Sequence, residues 1–289
     1  MVSAMSEAMA KEERLRSQLR GLGDVLVAYS AGVDSTYLLA IAHAELGNRA
    51  TAVTADSPSL ARTSLAEARA FCATRGIAHR IVPTSEFDDP VYAANDGQRC
   101  YHCKSALLTV MQALAFEAER EQALLVGAIA DDLADWRPGM RAAGERGALF
   151  PLAEVGLGKA EIRERSKALG LPTWDRPAEP CLSSRIPYGE PVTVEAVRMV
   201  EQTELLLRGL GLRHCRARHH RVGADVGGAA RGWMCRIEVP EADLSRVLEQ
   251  RRAIIDGLQR LGYAFTTLDL AGLASGGFNR LLAGIEPTP

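Results

Sequence analysis

Three cysteines have types and spacings that could do sulfur or metal chemistry. Cys100-Tyr-His-Cys103 is a C-x-x-C unit, and Cys181 stands alone in Pro180-Cys-Leu-Ser-Ser-Arg185. A lone C-x-x-C is typical of half a zinc site, a redox pair or two buried thiols, and the sequence has no second C-x-x-C to complete a zinc site. Three thiolates can also hold a [4Fe-4S] cluster whose fourth iron is open to a sulfide. Cys181 alone could instead attack an activated carbonyl and donate its own sulfur.

The other three cysteines carry a simpler prediction. Cys72, Cys215 and Cys235 fall on faces of predicted helices or strands. Buried cysteine commonly behaves as a small hydrophobic residue. We therefore predict core or hairpin thiols at these positions.

A second candidate for chemistry is the small-residue turn Ser30-Ala-Gly-Val-Asp-Ser35, which follows an apolar run and precedes a helical run. The backbone N–H groups of such a turn lie at the positive end of a helix dipole and lack intrahelical partners, so they suit a phosphate. The turn is not a Walker A loop, because no Lys follows Gly32 at the required place. An ordinary turn in which Asp34 or Ser35 caps the helix is the competing interpretation.

Basic residues on a later predicted strand form a third candidate. Arg216, Arg218 and His220 share one side of that strand by its two-residue period. Arginine forks suit a phosphate. A solvated edge strand protected by positive charge is the alternative interpretation.

Acidic and polar residues in two loops complete the candidates. Asp131, Asp132 and Asp135 follow a predicted strand end and could help hold Mg²⁺ on phosphates, or could be loop and cap residues. Ser184 and Arg185 are close enough to Cys181 in the chain to orient a phosphate or a thiol, because an activated thiolate needs a nearby cation or donor.

Strand-like runs and helical patterns alternate along the first half of the chain. The predicted strands are 24–30, 50–56, 78–84 and 122–130, and the predicted helices between them are 36–45, 59–75 and 104–119. This alternation indicates βαβ units, and hence an α/β fold with a doubly wound parallel sheet. Such sheets bind ligands at the carboxyl ends of their strands, where Ser30 and Asp56 lie.

The later part of the chain has a different pattern. Residues 131–191 are rich in Pro, Gly and Arg, with one clear helix at about 159–169. After them we predict a helix 194–208, strands 213–221 and 232–239, a helix 241–261 and a strand 263–270. The two adjacent strands indicate an antiparallel hairpin in a smaller α+β domain. The predicted parts are a solvated amphipathic N-terminal helix (1–20), a nucleotide-binding domain (21–190) and a C-terminal α+β domain for substrate binding or oligomerisation (191–289).

The composition limits the class of protein. The 289 residues are 47% hydrophobic and 24% charged, as in a folded globular protein with room for two domains. The net charge of −2 lacks the basic excess of a protein that follows a nucleic-acid backbone, so a small anionic substrate is expected rather than a nucleic acid. The sequence shows no signal-peptide core and no apolar run of about 18 residues, so we expect a cytoplasmic protein with reduced thiols and no membrane span.

Two resemblances build on these residues. The turn at 30–35 resembles the S-G-G-x-D-S pyrophosphate loop of the PP-loop ATP pyrophosphatases, with Ala31 in place of one glycine. Much of the remaining chain is similar to the LarE-type sulfur transferases, which take part in building the nickel-pincer nucleotide cofactor of lactate racemase-like enzymes. The segments that carry this similarity are Asp131–Gly139, Phe150–Leu152, Lys159–Arg163, Leu169–Trp174 and Pro180–Gly189.

The LarE-type resemblance implies a reaction on pyridinium-3,5-biscarboxylate mononucleotide. ATP adenylates a carboxylate, and sulfur then replaces AMP to give a thiocarboxylate. In single-cysteine members the residue matching Cys181 gives up its sulfur and becomes dehydroalanine. In a second subgroup, which we favour for this chain, a C-x-x-C accompanies that cysteine and a [4Fe-4S] cluster recycles sulfide from an external source. The resemblance also implies a homo-oligomer.

The expected site residues follow from these patterns and resemblances together. Five residues are expected to bind ATP and pyrophosphate: Ser30, Gly32, Asp34, Ser35 and Asp56. Asp34 and Cys181 are expected to be catalytic. Four residues are expected to bind the substrate: Arg216, Arg218, Ser184 and Arg185. Three are expected to hold the cluster: Cys100, Cys103 and Cys181.

Three other functions compete. A PP-loop tRNA thiolase also uses a C-x-x-C and a third cysteine, but it should carry a basic tract or an added RNA-binding module. An ammonia-using ATP-dependent ligase would make the cysteines incidental. A non-catalytic nucleotide-binding protein would leave the three candidate reactive sites without a function.

The chain also departs from the LarE-type pattern at Ala274, where an arginine is often found.

Overall fold

The computed structural model describes residues 2–118, 120–134, 138–224, 230–273 and 278. The predicted site residue Asp135, the departure at Ala274 and part of the turn between the two hairpin strands lie outside them. The chain divides into two compact units, one comprising Met1–Glu86 with Cys100–Glu179, and the other Phe87–Arg99 with Pro180–Pro289. We describe each unit by itself.

The described residues form strands and helices with the following bounds. The strands are β1 (Asp24–Ala28), β2 (Ala50–Asp56), β3 (Ala78–Pro83), β4 (Gln122–Val126), β5 (Arg216–Ala224), β6 (Ala230–Glu238) and β7 (Tyr263–Leu268). The α-helices are α1 (Val2–Gly21), α2 (Val33–Leu46), α3 (Arg62–Arg75), α4 (Pro90–Ala93), α5 (Arg99–Glu117), α6 (Pro138–Glu145), α7 (Pro151–Glu154), α8 (Lys159–Ala168), α9 (Val194–Gly209), α10 (Leu244–Glu249) and α11 (Arg251–Arg260).

The first unit is built on a parallel sheet in the order β3-β2-β1-β4. Because successive side chains of a strand point to opposite faces, β1 feeds two cores. Val25 and Val27 belong to a core with α1, α2, α3 and α8, whereas Leu26 and Ala28 belong to a second core with α5 and α6. Helices therefore cover both faces, and the predicted doubly wound α/β fold is confirmed.

The N-terminal helix differs from the prediction in one respect. Helix α1 forms where it was expected, but it is not solvated all round, because Leu15 and Leu19 are fully buried in the first core. Its buried Glu12 accepts hydrogen bonds from Tyr37 and Arg165 at 2.9 and 2.7 Å. One face of this charged helix is therefore part of the unit that carries the small-residue turn.

The second unit contains a mixed sheet in the order β5-β6-β7. Strands β5 and β6 are antiparallel, with Arg216 opposite Glu238, so the predicted hairpin is confirmed. Strand β7 runs parallel to β6, and α9 and α11 cover the core face that includes Ala217 and Cys235.

Three short helices and one break in a helix were not predicted from the sequence. Helices α4, α6 and α7 each begin at a proline, which is favoured at the first helical position and which made these segments look irregular. The helix predicted over 241–261 is interrupted at Gln250, whose φ and ψ of −95° and 10° are not helical and whose side chain donates to the Leu210 carbonyl at 2.9 Å.

The two compact units divide the chain at other positions than the predicted domains 21–190 and 191–289. The second unit starts at Pro180 and takes in the segment before Cys100. Asn95 explains this division, because its amide donates to the carbonyls of Pro187 and Glu190 at 2.7 and 2.9 Å. Cys181 and its neighbours thus belong to the second unit. Among the described residues no helix is both long and apolar enough to cross a membrane.

Candidate functional site

The small-residue turn joins β1 to α2 at the carboxyl edge of the parallel sheet. Hydroxyl contacts fold it onto the helix start, with the Ser30 and Ser35 oxygens 3.1 Å apart and Ser35 Oγ donating to the Gly32 carbonyl at 3.3 Å. Gly32 occupies the N-cap position and supplies no side-chain cap. Neither Asp34 nor Ser35 therefore occupies the N-cap position of α2. An uncapped helix N-terminus at a sheet's carboxyl edge is a ready anion site.

Ala31 is the unusual residue of this turn. It has a φ of +58° and is 1% exposed. This left-handed conformation costs a residue with a Cβ about 1–2 kcal/mol. The turn therefore keeps the backbone geometry of a glycine-containing loop with alanine in place.

A lysine from a distant helix reaches the turn. Lys159 Nζ donates to both carboxylate oxygens of Asp34, at 2.7 and 2.5 Å, and its backbone N–H donates to Asp131 at 2.7 Å. The Lys159 side chain is 40% exposed, so this cation can also meet a ligand. Lys159 belonged to a segment singled out above, but its role was missed because 125 residues separate it from Asp34.

Gly127 is a second residue that sequence reasoning did not assign. A Cβ at this position would lie 3.1 Å from both the Cα and the N of Ser35, which is closer than real contacts normally allow. The end of β4 can therefore approach the start of α2 only because residue 127 has no side chain.

The predicted acidic residues have separate partners. Asp131 accepts from the Lys159 N–H, and Asp132 accepts from the Ile129 N–H at 3.0 Å, so both serve as loop and cap residues. Asp56 lies at the end of β2, next to β1 at the same sheet edge, and pairs with Arg62. Mg²⁺ on a nucleotide needs only one or two carboxylates beside the phosphates, and the chemistry of Asp34 fits that need.

The cysteines fall into two groups by burial. Cys72, Cys215 and Cys235 are buried, and burial raises the pKa of Cys72 to about 11, so the prediction of core thiols is confirmed. Cys100 is exposed and Cys103 is half-buried, one turn apart at the start of α5. These are the two thiols of the C-x-x-C unit that was expected to help hold a cluster. Over the described part of the chain, no three His, Cys, Asp or Glu side chains form a metal-binding group.

Cys181 is exposed and directly precedes the short 3₁₀ helix Leu182–Arg185 in the second unit. Arg185 holds this segment, donating to the carbonyls of Pro180 and Cys181 at 2.6 and 3.3 Å. The same guanidinium donates to Glu204 at 2.8 Å, and both side chains are 3% exposed. Arg185 therefore fixes the backbone on either side of the thiol.

The predicted arginines of β5 join this support. Arg218 donates to the Ser184 carbonyl at 2.9 Å and lies 2.9 Å from Glu238 in an ion pair. Arg216 is buried, and the loss of solvent together with the nearby cations Arg185 and Arg218 lowers its pKa. Strand β5 is an edge strand, but Arg216 and Arg218 are buried, so the alternative interpretation of a solvated, charge-protected edge is wrong for these two residues.

One donor in this cluster has no hydrogen-bond partner among the residues that the structure describes. Arg218 Nε is buried and makes no hydrogen bond within the described residues. The Phe278 ring packs on the Arg218 guanidinium, with the ring centroid 4.6 Å from the guanidinium carbon. The structure thus brings Ser184, Arg185, Arg216 and Arg218 together around the Cys181 segment, and it brings Ser30, Gly32, Asp34 and Ser35 together in the turn of the other unit.

Comparison with known proteins adds the family. No protein-family model matches the chain. An uncharacterized protein of Synechocystis sp. is 42% identical over 275 residues, covering 94% of this chain and 98% of the relative. The pyridinium-3,5-bisthiocarboxylic acid mononucleotide synthase of Lactiplantibacillus plantarum is 32% identical over 279 residues, covering 96% and 97%. An uncharacterized protein of Methanocaldococcus jannaschii is 26% identical over 248 residues.

The similarity to the Lactiplantibacillus plantarum synthase spans both compact units and nearly the full length of each chain. It includes the turn of the first unit and the Cys181 segment of the second. The chain therefore belongs to the LarE-type family, of which this synthase is a member.

Proposed function

We propose that this protein is an ATP-dependent sulfur transferase that converts pyridinium-3,5-biscarboxylate mononucleotide to its bis-thiocarboxylate in nickel-pincer nucleotide biosynthesis. The observation that carries the proposal is the near full-length similarity to a synthase of the bisthiocarboxylic acid mononucleotide. The uncapped start of α2, with a lysine paired to Asp34, supports an ATP-splitting first step.

The first step activates a substrate carboxylate. A carboxylate oxygen attacks the α-phosphorus of ATP, the bond to the β-phosphate oxygen breaks, and an acyl adenylate and pyrophosphate form. The N–H groups at the start of α2 stabilise the pyrophosphate, and the Lys159 ammonium neutralises its developing charge. Asp34 is the side chain that would hold Mg²⁺ against the phosphates.

The second step replaces AMP by sulfur. In the sacrificial route the Cys181 thiolate attacks the adenylated carbonyl carbon, AMP leaves, and loss of the Cys181 α-proton expels a thiocarboxylate and leaves dehydroalanine. Exposure of Cys181 suits this attack, and Arg185 holds its backbone. In the second route an external sulfide is the sulfur source. A [4Fe-4S] cluster held by Cys100, Cys103 and Cys181 would supply an open iron that accepts that sulfide.

An anaerobic turnover experiment tests the proposal. The protein is reconstituted with iron and sulfide, ATP and the pyridinium mononucleotide are added, and the thiocarboxylate, AMP and the mass of the Cys181 peptide are measured. Repeated turnover with added sulfide and an intact Cys181 supports the cluster route. A single turnover with Cys181 lighter by the mass of H₂S supports sacrifice. Absence of AMP with this substrate would refute the proposed function.

A cysteine substitution separates the two routes. Replacing either Cys100 or Cys103 by Ser removes one thiol of the pair on α5 and leaves Cys181 unchanged. The cluster route predicts loss of both the iron absorption and the turnover. Retained single-turnover product in these variants would assign the sulfur to Cys181 itself.

A further inference from the structure

The carbonyl of Ala31 has a dedicated cationic partner. Arg176 donates through its NH1 group to this carbonyl at 2.7 Å, across 145 residues of chain. Ala31 is the residue of the turn with positive φ, so the contact falls on the position whose backbone is hardest to hold without glycine. The Arg176 side chain is 20% exposed and also pairs with Glu67 of α3.

Arg176 is itself held by the helix that carries Lys159. Arg163 of α8 donates to the carbonyls of Trp174 and Arg176 at 2.9 and 2.5 Å. Helix α8 thus acts on both sides of the turn: its first residue reaches Asp34, and Arg163 fixes the backbone of the residue that reaches Ala31.

We infer that Arg176 is a positioning residue for ATP binding, which holds the Ala31 peptide in its left-handed conformation so that the turn's N–H groups face the phosphates. This inference rests on the proposed function of the turn. A charge-assisted hydrogen bond offsets the strain that alanine brings to the left-handed region. With glycine at position 31 that conformation carries little strain, so the need for Arg176 falls.

A double-substitution cycle tests this inference. The variants are Arg176→Gln, Ala31→Gly, the double variant and Arg176→Lys. Each is measured for the Kd of the non-hydrolysable analogue AMPCPP, for the KM of ATP and the kcat of pyrophosphate release, and for Tm. The matched control is Arg69→Gln, an exposed arginine two residues from Glu67 on α3.

The expected loss is specific to nucleotide binding. Arg176→Gln raises the Kd of AMPCPP and the KM of ATP about 10- to 30-fold, with a small change in kcat, because a hydrogen bond from a charged group is lost. The same substitution in the Ala31→Gly background raises Kd less than about 5-fold. Arg176→Lys recovers much of the binding, and Arg69→Gln has no effect.

Two results would overturn the inference. An equal loss of AMPCPP affinity in the unaltered and the Ala31→Gly backgrounds would show that Arg176 acts on the phosphates directly or on the fold as a whole. Unchanged affinity in Arg176→Gln would show that the contact has no role. Failure of the proposed function is separate, because it would show as no pyrophosphate release by the unaltered protein even where AMPCPP binds.

Discussion

The two regions that carry the predicted site residues differ in the solvent exposure of their ion pairs. At the turn of the first unit, Lys159 and Asp34 form an ion pair whose side chains are 40% and 24% exposed. Around the Cys181 segment of the second unit, Arg185 and Glu204 are each 3% exposed, and Arg218 and Glu238 are each 4% exposed. One ion pair is open to solvent, and the other two are enclosed.

This difference in exposure indicates two roles: the open pair can exchange one partner for a ligand, and the enclosed pairs support the backbone around Cys181. A half-exposed pair is worth little to stability, so a polyphosphate can replace Asp34 as a partner of Lys159 at small cost. An enclosed pair cannot lose a partner without leaving a buried charge uncompensated. We therefore expect the turn to bind and release ligands, and the arginine cluster to keep the Cys181 backbone in place.

The largest expected effect concerns Cys181, an exposed thiol of the second unit. Cys181→Ser should abolish thiocarboxylate formation, a loss of more than about 1,000-fold, because the hydroxyl neither donates sulfur nor replaces a thiolate ligand. Formation of pyrophosphate from ATP and substrate should remain within about threefold in a single turnover, because the adenylation step proposed above uses the turn of the other unit. Thiocarboxylate and pyrophosphate are measured in the same reaction. Loss of both together would contradict this division of labour.

The next effect tests the enclosed pairs. Glu204→Gln leaves the Arg185 cation buried without a counter-charge and should lower the free energy of unfolding by about 3–5 kcal/mol. Chemical denaturation provides the measurement. Glu195→Gln, an exposed residue of the same helix, is the control and should change stability by less than about 1 kcal/mol. Equal small effects in the two variants would remove the distinction between the regions.

The open pair should show the reverse pattern. Lys159→Met should reduce kcat/KM for ATP-dependent pyrophosphate release about 100-fold, because one charge-stabilising group is lost from the transition state. Its effect on stability should stay below about 1 kcal/mol, since the pair is exposed. Lys167→Met, on the same helix, is the control. A large fall in stability with unchanged kinetics would assign Lys159 to structure.

The smallest expected effect concerns pH and the second unit. Burial lowers the pKa of His219 to about 4, beside Trp233 and Tyr263 and next to His220. The unfolded chain takes up this proton near pH 6.5 and the folded protein only near pH 4, so stability falls as the pH drops through that window. The loss should reach about 2 kcal/mol by pH 5.

A variant identifies the group responsible. His219→Gln should remove this part of the pH dependence when denaturation is compared at pH 7 and pH 5. The neighbouring His220, whose pKa is also lowered to about 4 by burial and by Arg236 and Arg218, should keep its own contribution. An unchanged slope in His219→Gln would contradict the assignment to His219.

The sequence was sufficient for features written in consecutive residues. The apolar runs of β1 and β2 and the turn from Ser30 to Ser35 predict a parallel α/β sheet with an anion site at its edge, and the structure has both the sheet and an uncapped helix start at that edge. Helices that begin at a proline are the exception, because the prolines at the start of α6 and α7 make this part of the sequence resemble irregular chain.

Contacts between residues that lie far apart in the sequence could not be predicted. Lys159 and Asp34 are 125 residues apart, and no periodicity reports such a contact. An arginine in a strand is equally compatible with a solvated surface and a buried ion pair until its carboxylate partner is known, as Arg218 and Glu238 illustrate. The strained Ala31 was recognised as a departure, but its partner Arg176 became evident only from the fold.

The central claim is that the turn of the first unit activates a substrate carboxylate by adenylation before sulfur enters. The most direct measurement uses pyridinium-3,5-biscarboxylate mononucleotide labelled with ¹⁸O in its carboxylates, with the mass of AMP recorded at each turnover. Adenylation predicts that one ¹⁸O passes to the phosphate of AMP for each sulfur inserted. AMP without the label, or ADP and phosphate in place of AMP and pyrophosphate, would contradict the claim.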